Sequence, residues 1–199
     1  MTFRIATSRL DLILEDIAAL EAFSESPAKL ASLLGAQVPP QWPVCGADVI
    51  AYVIDWLKSD PELGGFGAYF IIHRADRMLI GDGGFKGRPN QYGEVELGYS
   101  LIEAYRGQGY ATEAAGALAD WAFHQPDVTA VRAETLPDGL ASQAVLKKIG
   151  MVLDGEYRHP DDGRVFRWRL DRQNRPPPRK IIAAGTPPGA PPPPPPPPA

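Results

Sequence analysis

The stretch EVELGYSLIEAYRGQGYATE, residues 94–113, decides the fold of this chain. Its first half, residues 95–102, is rich in β-branched, aromatic and aliphatic residues and predicts a strand. Its second half opens a helix, because apolar residues recur at helical spacing over residues 111–121. The segment RGQG, residues 106–109, therefore stands where a strand ends and a helix begins.

Glycines at this junction let the backbone approach a ligand closely, because no Cβ stands in the way. The helix that follows offers free N–H groups and the positive end of its dipole, which favour a phosphate. A dinucleotide fingerprint, G-x-G-x-x-G, would need a third glycine, but that position holds Thr112 and no βαβ unit precedes it. The segment is therefore a candidate pyrophosphate-binding turn of another class.

A different pattern, [RQ]-x-x-G-x-[GA], is met in full by Arg106, Gly109 and Ala111. With the flanking ELGYS and YATEA segments and the opening TSRLDL of residues 7–12, the chain resembles the GNAT-superfamily N-acetyltransferases. The resemblance is to the ribosomal-protein-alanine acetyltransferase-like (RimJ/RimL-type) branch, which acetylates ribosomal-protein N-termini and many small amines. It spans residues 7–170 and implies a fold, an acyl donor and a set of site residues.

The composition excludes several classes of protein. A formal net charge of −4 over 199 residues gives no basic footprint for nucleic acid. No apolar segment reaches membrane-spanning length, and the N-terminus lacks the apolar segment of a signal peptide. The single cysteine, Cys45, cannot form an internal disulfide and is typical of a reducing compartment. We therefore expect a cytoplasmic protein that binds neither nucleic acid nor membrane.

The C-terminal part of the chain differs in composition from the rest. From Pro176 it is rich in proline, and it ends in eight consecutive prolines and an alanine. Such a run forms polyproline II, offers no backbone donors and builds no core. We expect a catalytic domain over residues 1–171 and a proline-rich, disordered tail over residues 172–199. The tail is either a ligand for a proline-binding partner or a disordered terminus with no binding role.

The remaining patterns predict the architecture. Apolar segments at residues 68–73, 78–86 and 95–102 are joined by short polar turns, which indicates an antiparallel meander. The segment of residues 3–14 predicts one half-buried strand, because it ends in leucines that alternate over residues 10–14. The order of elements predicts an α+β domain with a mixed, mostly antiparallel sheet and helices on both faces. The resemblance adds a central strand that splays from its neighbour.

Local signals place the first three helices. Asp16 and Ser26 precede apolar periodic segments as N-cap residues, and Gly35 ends the second helix. That helix is expected to bury Leu30, Leu33 and Leu34. Asp48 is expected to cap a third helix, whose apolar residues are Val49, Tyr52, Val53, Trp56 and Leu57.

The resemblance implies how acetyl-CoA is held. In this superfamily the pantetheine arm pairs with the splayed strand like an added strand, and an N–H faces the thioester carbonyl. By motif, those backbone groups belong to Ser100, Leu101 and Ile102. The pyrophosphate would be held by the N–H groups of the turn and by the charge of its arginine; these residues are Arg106, Gly107, Gln108, Gly109, Tyr110, Ala111 and Thr112.

Acetyl transfer also needs a base for the amine and favours an acid for the leaving thiol. Glu96 lies on the strand that enters the site, and Glu134 lies near the end of the adjacent strand, so both are candidate bases, Glu96 preferred. Ser142 is the candidate acid, and Tyr99 or Tyr157 could substitute for it. Each of these residues could equally be structural.

Two positions depart from the family pattern. Gly139 stands where the family has an asparagine that helps to hold the cofactor arm, and Leu146 stands where many members have a tyrosine acid. These departures motivate an alternative hypothesis, a non-catalytic acyl-CoA-binding module.

Other sites and partners are less well defined by the sequence. The three histidines are too scattered for a metal site, and Cys45 has no adjacent base, so transfer should be direct from the cofactor to the amine. Trp42 either packs in the core or forms part of the acceptor entrance. The expected acceptor is a small-molecule amine or a protein N-terminus, and the expected assembly is a monomer or homodimer.

Overall fold

The computed structural model describes residues 3–185 and residue 187. Within these residues the chain forms one nine-stranded sheet and five α-helices. The strands are β1 (Arg4–Ala6), β2 (Leu10–Leu14), β3 (Ala68–His73), β4 (Met78–Phe85), β5 (Glu94–Leu101), β6 (Ala130–Thr135), β7 (Val152–His159), β8 (Gly163–Asp171) and β9 (Ile182–Ala184). The helices are α1 (Ile17–Glu25), α2 (Pro27–Leu34), α3 (Asp48–Ser59), α4 (Tyr110–Ala122) and α5 (Leu140–Lys148).

The strand order across the sheet is β7-β8-β6-β5-β4-β3-β2-β1-β9. Strands β5 and β6 are paired in parallel, and the other described neighbours are antiparallel. The predicted meander is β3-β4-β5, joined by short turns. The prediction of a mixed, mostly antiparallel α+β sheet is confirmed.

Two consecutive residues of β3 show that helices cover both faces of the sheet. Tyr69 packs against Trp121 of α4, with ring centroids 6.5 Å apart. Phe70, which points to the opposite face, packs against Trp42 of the loop between α2 and α3, with ring centroids 5.6 Å apart, and shares a cavity with residues of α1 and α2. The two apolar layers meet the sheet from opposite sides, as expected for a core built on a central sheet.

The predicted caps of the first two helices are confirmed. Asp16 accepts a hydrogen bond from the Ala19 N–H and begins α1, and Ser26 accepts one from Lys29 and begins α2. Gly35 ends α2 with φ 62°, in the left-handed region that glycine adopts without strain. Asp48 differs, because it is the first residue of α3 and makes no capping hydrogen bond there.

The predicted burial of Leu33 in α2 is wrong, since this residue is 62% exposed, whereas Leu30 is buried. In α3, Tyr52 is 70% exposed and Ile50 is buried. Helical spacing identifies an apolar stripe but not its edges, and both exposed residues lie at the edge of the stripe. The N-terminal segment also forms two strands and not one, since the chain turns back between β1 and β2.

The chain continues to pack against the domain beyond the expected boundary at residue 171. Residues 172–174 form a 3₁₀ turn, the Arg179 N–H donates to Asp120 of α4 at 2.9 Å, and β9 pairs with β1 at the edge of the sheet. This segment, residues 175–184, is called the strap below. A short apolar run, IIAA, lies between the prolines, and it adds a strand where composition alone predicted none. The run of eight prolines lies outside the described residues.

In the described part of the chain, no helix combines the length and the apolar character needed to cross a membrane.

Candidate functional site

The central feature of the site is a gap between β5 and β6. These strands pair only from Glu94 to Glu96, opposite residues 130–132. Beyond that point β5 continues to Leu101 and β6 continues to Thr135, but the two strands no longer pair with each other. The central strand therefore splays from its neighbour, as the resemblance implied, and one edge of β5 is left open to a ligand that can pair with it.

Hydrogen bonds show which backbone groups of β5 face this gap. The Ile102 N–H donates to Ile80 O of β4 at 2.9 Å, and a Cβ added to Gly81 of β4 would meet Ser100 O. The backbone N–H and C=O groups of Ser100 and Ile102 therefore point toward β4. Leu101 O points the other way and accepts from Arg106 Nε at 2.8 Å.

The expected set of cofactor-pairing residues is thus partly wrong. Of Ser100, Leu101 and Ile102, only Leu101 presents its backbone to the gap, and by the period of two Tyr99 does so as well. The motif identifies the correct part of β5, but it does not show which residues direct their backbone groups to β4 and which direct them to the gap.

The turn after β5 has the geometry expected of an anion-binding cradle. Gly107 and Gly109 have φ of 73° and 84°, which residues with a Cβ adopt only with strain. Gly109 is the N-cap of α4, so the first N–H groups of this helix face the same region as the turn. The glycines are required here by backbone conformation as well as by close approach.

The N-terminal hairpin supports the cradle from outside. The carboxylate of Glu113, in the first turn of α4, accepts hydrogen bonds from Thr7 Oγ1 at 2.6 Å, Ser8 Oγ at 2.9 Å and Arg9 Nε at 2.7 Å. Arg9 also donates to Gln108 O at 3.1 Å. Burial raises the pKa of Glu113, but these hydrogen bonds outweigh it and hold the pKa below its usual value. The TSRLDL and YATEA segments of the sequence are therefore in contact.

A cavity of about 540 Å³ joins the gap to the cradle and is also bounded by α5. The expected site residues that line it are Ser100, Leu101, Arg106, Gly107, Gly109, Tyr110, Ala111, Thr112 and Ser142. Ile102 and Gln108 do not line it; Ile102 is buried, and the carbonyl of Gln108 is bound by Arg9. Lys148, an exposed cation near the end of α5, lines the same cavity and was not identified from the sequence.

The candidate acids lie in different places. Ser142 lines the cavity, and its carbonyl accepts a hydrogen bond from Tyr99 Oη at 3.1 Å. Burial raises the pKa of Tyr99 to about 12, which makes it a weaker acid than a free tyrosine. Tyr157 lies elsewhere, where its hydroxyl donates to Glu134 at 2.9 Å.

The two candidate bases line a second cavity of about 280 Å³. Glu96 and Glu134 are brought together there, as expected, beside Tyr157 and Arg167. The carboxylate of Glu96 is ion-paired with Lys86. Both candidate bases are therefore already engaged, one by a lysine and the other by a tyrosine.

Two carboxyl groups near Ser100 were missed by the sequence analysis. Asp82 of β4 accepts hydrogen bonds from Ser100 Oγ at 2.8 Å and from Trp42 Nε1 at 3.1 Å. Glu15, just after β2, is 6% exposed, and burial followed by the charge of Asp82 raises its pKa to about 8. Trp42 is buried and packs in the core, so its contact with Asp82 is its link to the site. No sequence signal joins these positions, because they come together only in the folded sheet.

Over residues 3–185 and 187, no group of three histidine, cysteine, aspartate or glutamate side chains could hold a metal ion.

Comparison with known proteins adds an independent line of evidence. The family described as "Acetyltransferase (GNAT) domain" matches residues 10–152. An uncharacterized N-acetyltransferase of Bacillus subtilis (strain 168), YjdG, is 31% identical over 159 residues, covering 78% of this chain and 95% of that protein.

Solved structures resemble the fold. An acetyltransferase from Agrobacterium tumefaciens is 27% identical, with a TM-score of 0.59, and the match covers 84% of this chain and 93% of that one. RimL, a ribosomal L7/L12 α-N-protein acetyltransferase solved in complex with coenzyme A, has a TM-score of 0.63 at 18% identity, covering 83% and 95%. The second likeness concerns the fold alone.

Proposed function

The chain belongs to the GNAT acetyltransferase family and is an acetyl-CoA-dependent N-acetyltransferase, and we propose that its acceptor is a small-molecule amine or a protein N-terminal α-amine. The open edge of β5 beside a glycine turn at the start of α4 supports the place of the donor. The observation that carries the acceptor proposal is the second cavity, whose lining includes Glu94, Glu96 and Glu134. An α-amine is easier to deprotonate near neutral pH than a lysine side chain, since its pKa is about 8 and not about 10.4.

The donor would lie along the gap. The N–H groups at the start of α4, with Arg106 and Lys148, supply positive charge for the pyrophosphate and phosphate groups. The backbone groups of Tyr99 and Leu101 would pair with the pantetheine arm, and one of their N–H groups would polarise the thioester carbonyl. Gln108 would contribute through its place in the turn and not through its side chain.

Of the three catalytic residues predicted from the sequence, Ser142 keeps its proposed role, whereas Glu96 and Glu134 take a different one. Ser142 would donate a proton to the leaving thiolate, since it lines the cavity that holds the donor. Glu96 and Glu134 would attract a cationic amine to the second cavity. The Lys86 ammonium competes for the Glu96 oxygen that would accept a proton, so Glu96 fits the attraction of the amine better than general-base catalysis.

The relatives support an amine acceptor of this kind. RimL is named for acetylating the α-amine of a ribosomal protein, and the Bacillus relative is named an N-acetyltransferase. A peptide N-terminus needs an open path, whereas a small amine can use a closed pocket. Both would respond to the same acidic surroundings.

Two assays test the proposal together. Isothermal titration measures the binding of coenzyme A, and thiol release from acetyl-CoA is followed with N-terminal peptides, polyamines, amino acids and aminoglycosides. We expect coenzyme A to bind and at least one amine to stimulate thiol release. Binding without amine-dependent thiol release would leave only an acyl-CoA-binding module, and an exclusive preference for internal lysines would refute the α-amine proposal.

A further inference from the structure

Glu15 and Asp82, called the carboxyl pair below, lie on one face of the sheet. Asp82 of β4 is paired with Ser100 of β5, and Gly84, two residues further along β4, is paired with Ala68. The Glu15 N–H donates to Ala68 O at 2.8 Å, which places Glu15 in the row beside Asp82. Since side chains alternate between faces, both carboxyl groups point to the face that carries Trp42.

The carboxyl pair has no cationic partner, whereas three other carboxylates that are largely buried each form an ion pair with an arginine. Glu94 is paired with Arg132 and Arg169, Glu113 with Arg9, and Asp120 with Arg179. Within the described residues, by contrast, no cationic side chain lies within 4 Å of Glu15 or Asp82.

The hydrogen bonds of the pair are also incomplete. Asp82 has neutral donors, Ser100 and Trp42, while the side chain of Glu15 makes no hydrogen bond in the described part of the chain. Glu15 is buried and Asp82 is half-buried. Burying a carboxyl group without a cation is costly, because the charged form loses its hydration. A cationic ligand would remove that cost, so the site has the chemistry of an ammonium receptor.

The carboxyl pair also lies close to the place of reaction. Ser100, which donates to Asp82, directly follows Tyr99, whose backbone faces the gap. On the same face, a Cβ added to Gly98 would meet no described atom within 4 Å. This open space beside Ser100 gives an amine a way to the thioester from the Asp82 side of β5.

We propose that the carboxyl pair receives the ammonium group of the acceptor and that Asp82 takes the proton that this group must lose before attack. The inference rests on the proposed acetyl transfer and deepens it. The neutral nitrogen then forms a bond to the thioester carbon, and the carbon–sulfur bond breaks. Ser142 donates its hydroxyl proton to the leaving thiolate and takes the second proton of the nitrogen in its place, so coenzyme A departs as the thiol and Asp82 returns its proton to solvent.

The pair also sets the class of acceptor. A free α-amino acid carries a carboxylate two bonds from its amine, and the carboxyl pair would repel that charge. A peptide N-terminus, an amino acid amide or an aliphatic amine has no such charge. The acceptor should therefore be a primary amine without an adjacent carboxylate.

Alaninamide and free alanine form a matched pair of probes for this inference. With acetyl-CoA at saturation, we expect wild-type kcat/KM to be at least about tenfold higher for alaninamide than for free alanine. The reason is the repulsion between the carboxylate of alanine and the carboxyl pair, which alaninamide avoids. Equal use of the two probes would overturn the inference. Absence of thiol release with every amine would overturn the proposed function, and this inference with it.

Variants then separate the roles of the two residues. Asp82→Asn should lower kcat for alaninamide by about a hundredfold, the usual size of a lost general base. Glu15→Gln should mainly raise the KM for alaninamide, by about tenfold. Both should bind coenzyme A like the wild type, as measured by titration.

Asp11→Asn is the matched control, because Asp11 lies on β2 four residues before Glu15 and is ion-paired with Arg74; it should leave both constants unchanged. Full turnover by Asp82→Asn would overturn the inference while the proposed function stands. If Asp82→Asn fails to fold, an unchanged KM in Glu15→Gln would overturn it equally.

Discussion

Strand β5 serves two regions that are built by different means. On its open edge, the proposed cofactor region consists of backbone groups and glycines from one continuous segment, residues 99–112. On the face that carries Trp42, the proposed acceptor region consists of side chains from separate segments, Glu15, Asp82 and Ser100. A site made of backbone can be encoded by a local motif, whereas a site made of distant side chains depends on the register of the whole sheet.

This difference predicts that the two regions respond separately to mutation. Changes in the carboxyl pair should alter stability and the use of the amine but not the affinity for coenzyme A. Changes in the glycine turn should do the reverse. The following variants test that separation, beginning with the largest expected effect.

Glu15→Gln should stabilise the protein at high pH. The pKa of Glu15 is raised from 4.5 to about 8, so the folded state holds a proton that the unfolded state releases between these values. The free energy of unfolding therefore falls as pH rises from about 4.5 to about 8 and stays low above it. The glutamine removes this loss, which is on the order of a few kcal/mol.

Thermal unfolding at pH 5 and pH 9 measures this effect. The melting temperatures of Glu15→Gln and wild type should be similar at pH 5, and the variant should be clearly higher at pH 9. Asp11→Asn, which loses an ion pair with Arg74, should show no such gain. A gain of equal size at both pH values would contradict the assignment of the buried charge to Glu15.

Gly109→Val should weaken coenzyme A binding by about a hundredfold. A β-branched residue at φ 84° is strained by about 1–3 kcal/mol, and its side chain would stand where the pyrophosphate must approach. Gly163, the first residue of β8, has φ 74° and lies outside the cavity, so Gly163→Val imposes similar strain elsewhere.

Titration with coenzyme A compares these two glycine variants. Gly163→Val should lose stability while its affinity stays close to that of the wild type. Equal affinities in Gly109→Val and wild type would show that the turn is not the pyrophosphate site.

Arg179→Ala should have the smallest effect and should act on stability alone. Its guanidinium lies 3.4 Å from the buried carboxylate of Asp120 in α4, and its loss should cost about 1 kcal/mol, or about 2–4 °C in melting temperature. Lys180→Ala, next to it and exposed, is the control and should leave stability unchanged. Unaltered stability in Arg179→Ala would show that the ion pair with Asp120 adds nothing to the domain.

The sequence was most informative where a local pattern has a local physical cause. Asp16, Ser26 and Gly35 were identified as helix ends because capping depends on a few adjacent residues. The glycines of the turn were identified for the same reason. The meander followed from short turns between apolar segments.

The sequence failed where long-range pairing decides the outcome. The choice of Tyr99 over Ser100 and Ile102 depends on which edge of β5 faces β4, and a motif does not show that alternation. Asp82 sits in an unremarkable strand, and its chemistry arises only from Glu15, Trp42 and Ser100 around it. Strand β9 was missed because the prolines around it dominate the composition of the strap.

The most direct test of acetyl transfer is a mass measurement of the product, made with the full chain, acetyl-CoA and alaninamide while thiol release is recorded. The account predicts N-acetylalaninamide in an amount equal to the thiol released, and release that stops when the amine is omitted. Coenzyme A binding with no acetylated amine, for alaninamide and for every other primary amine tried, would contradict it.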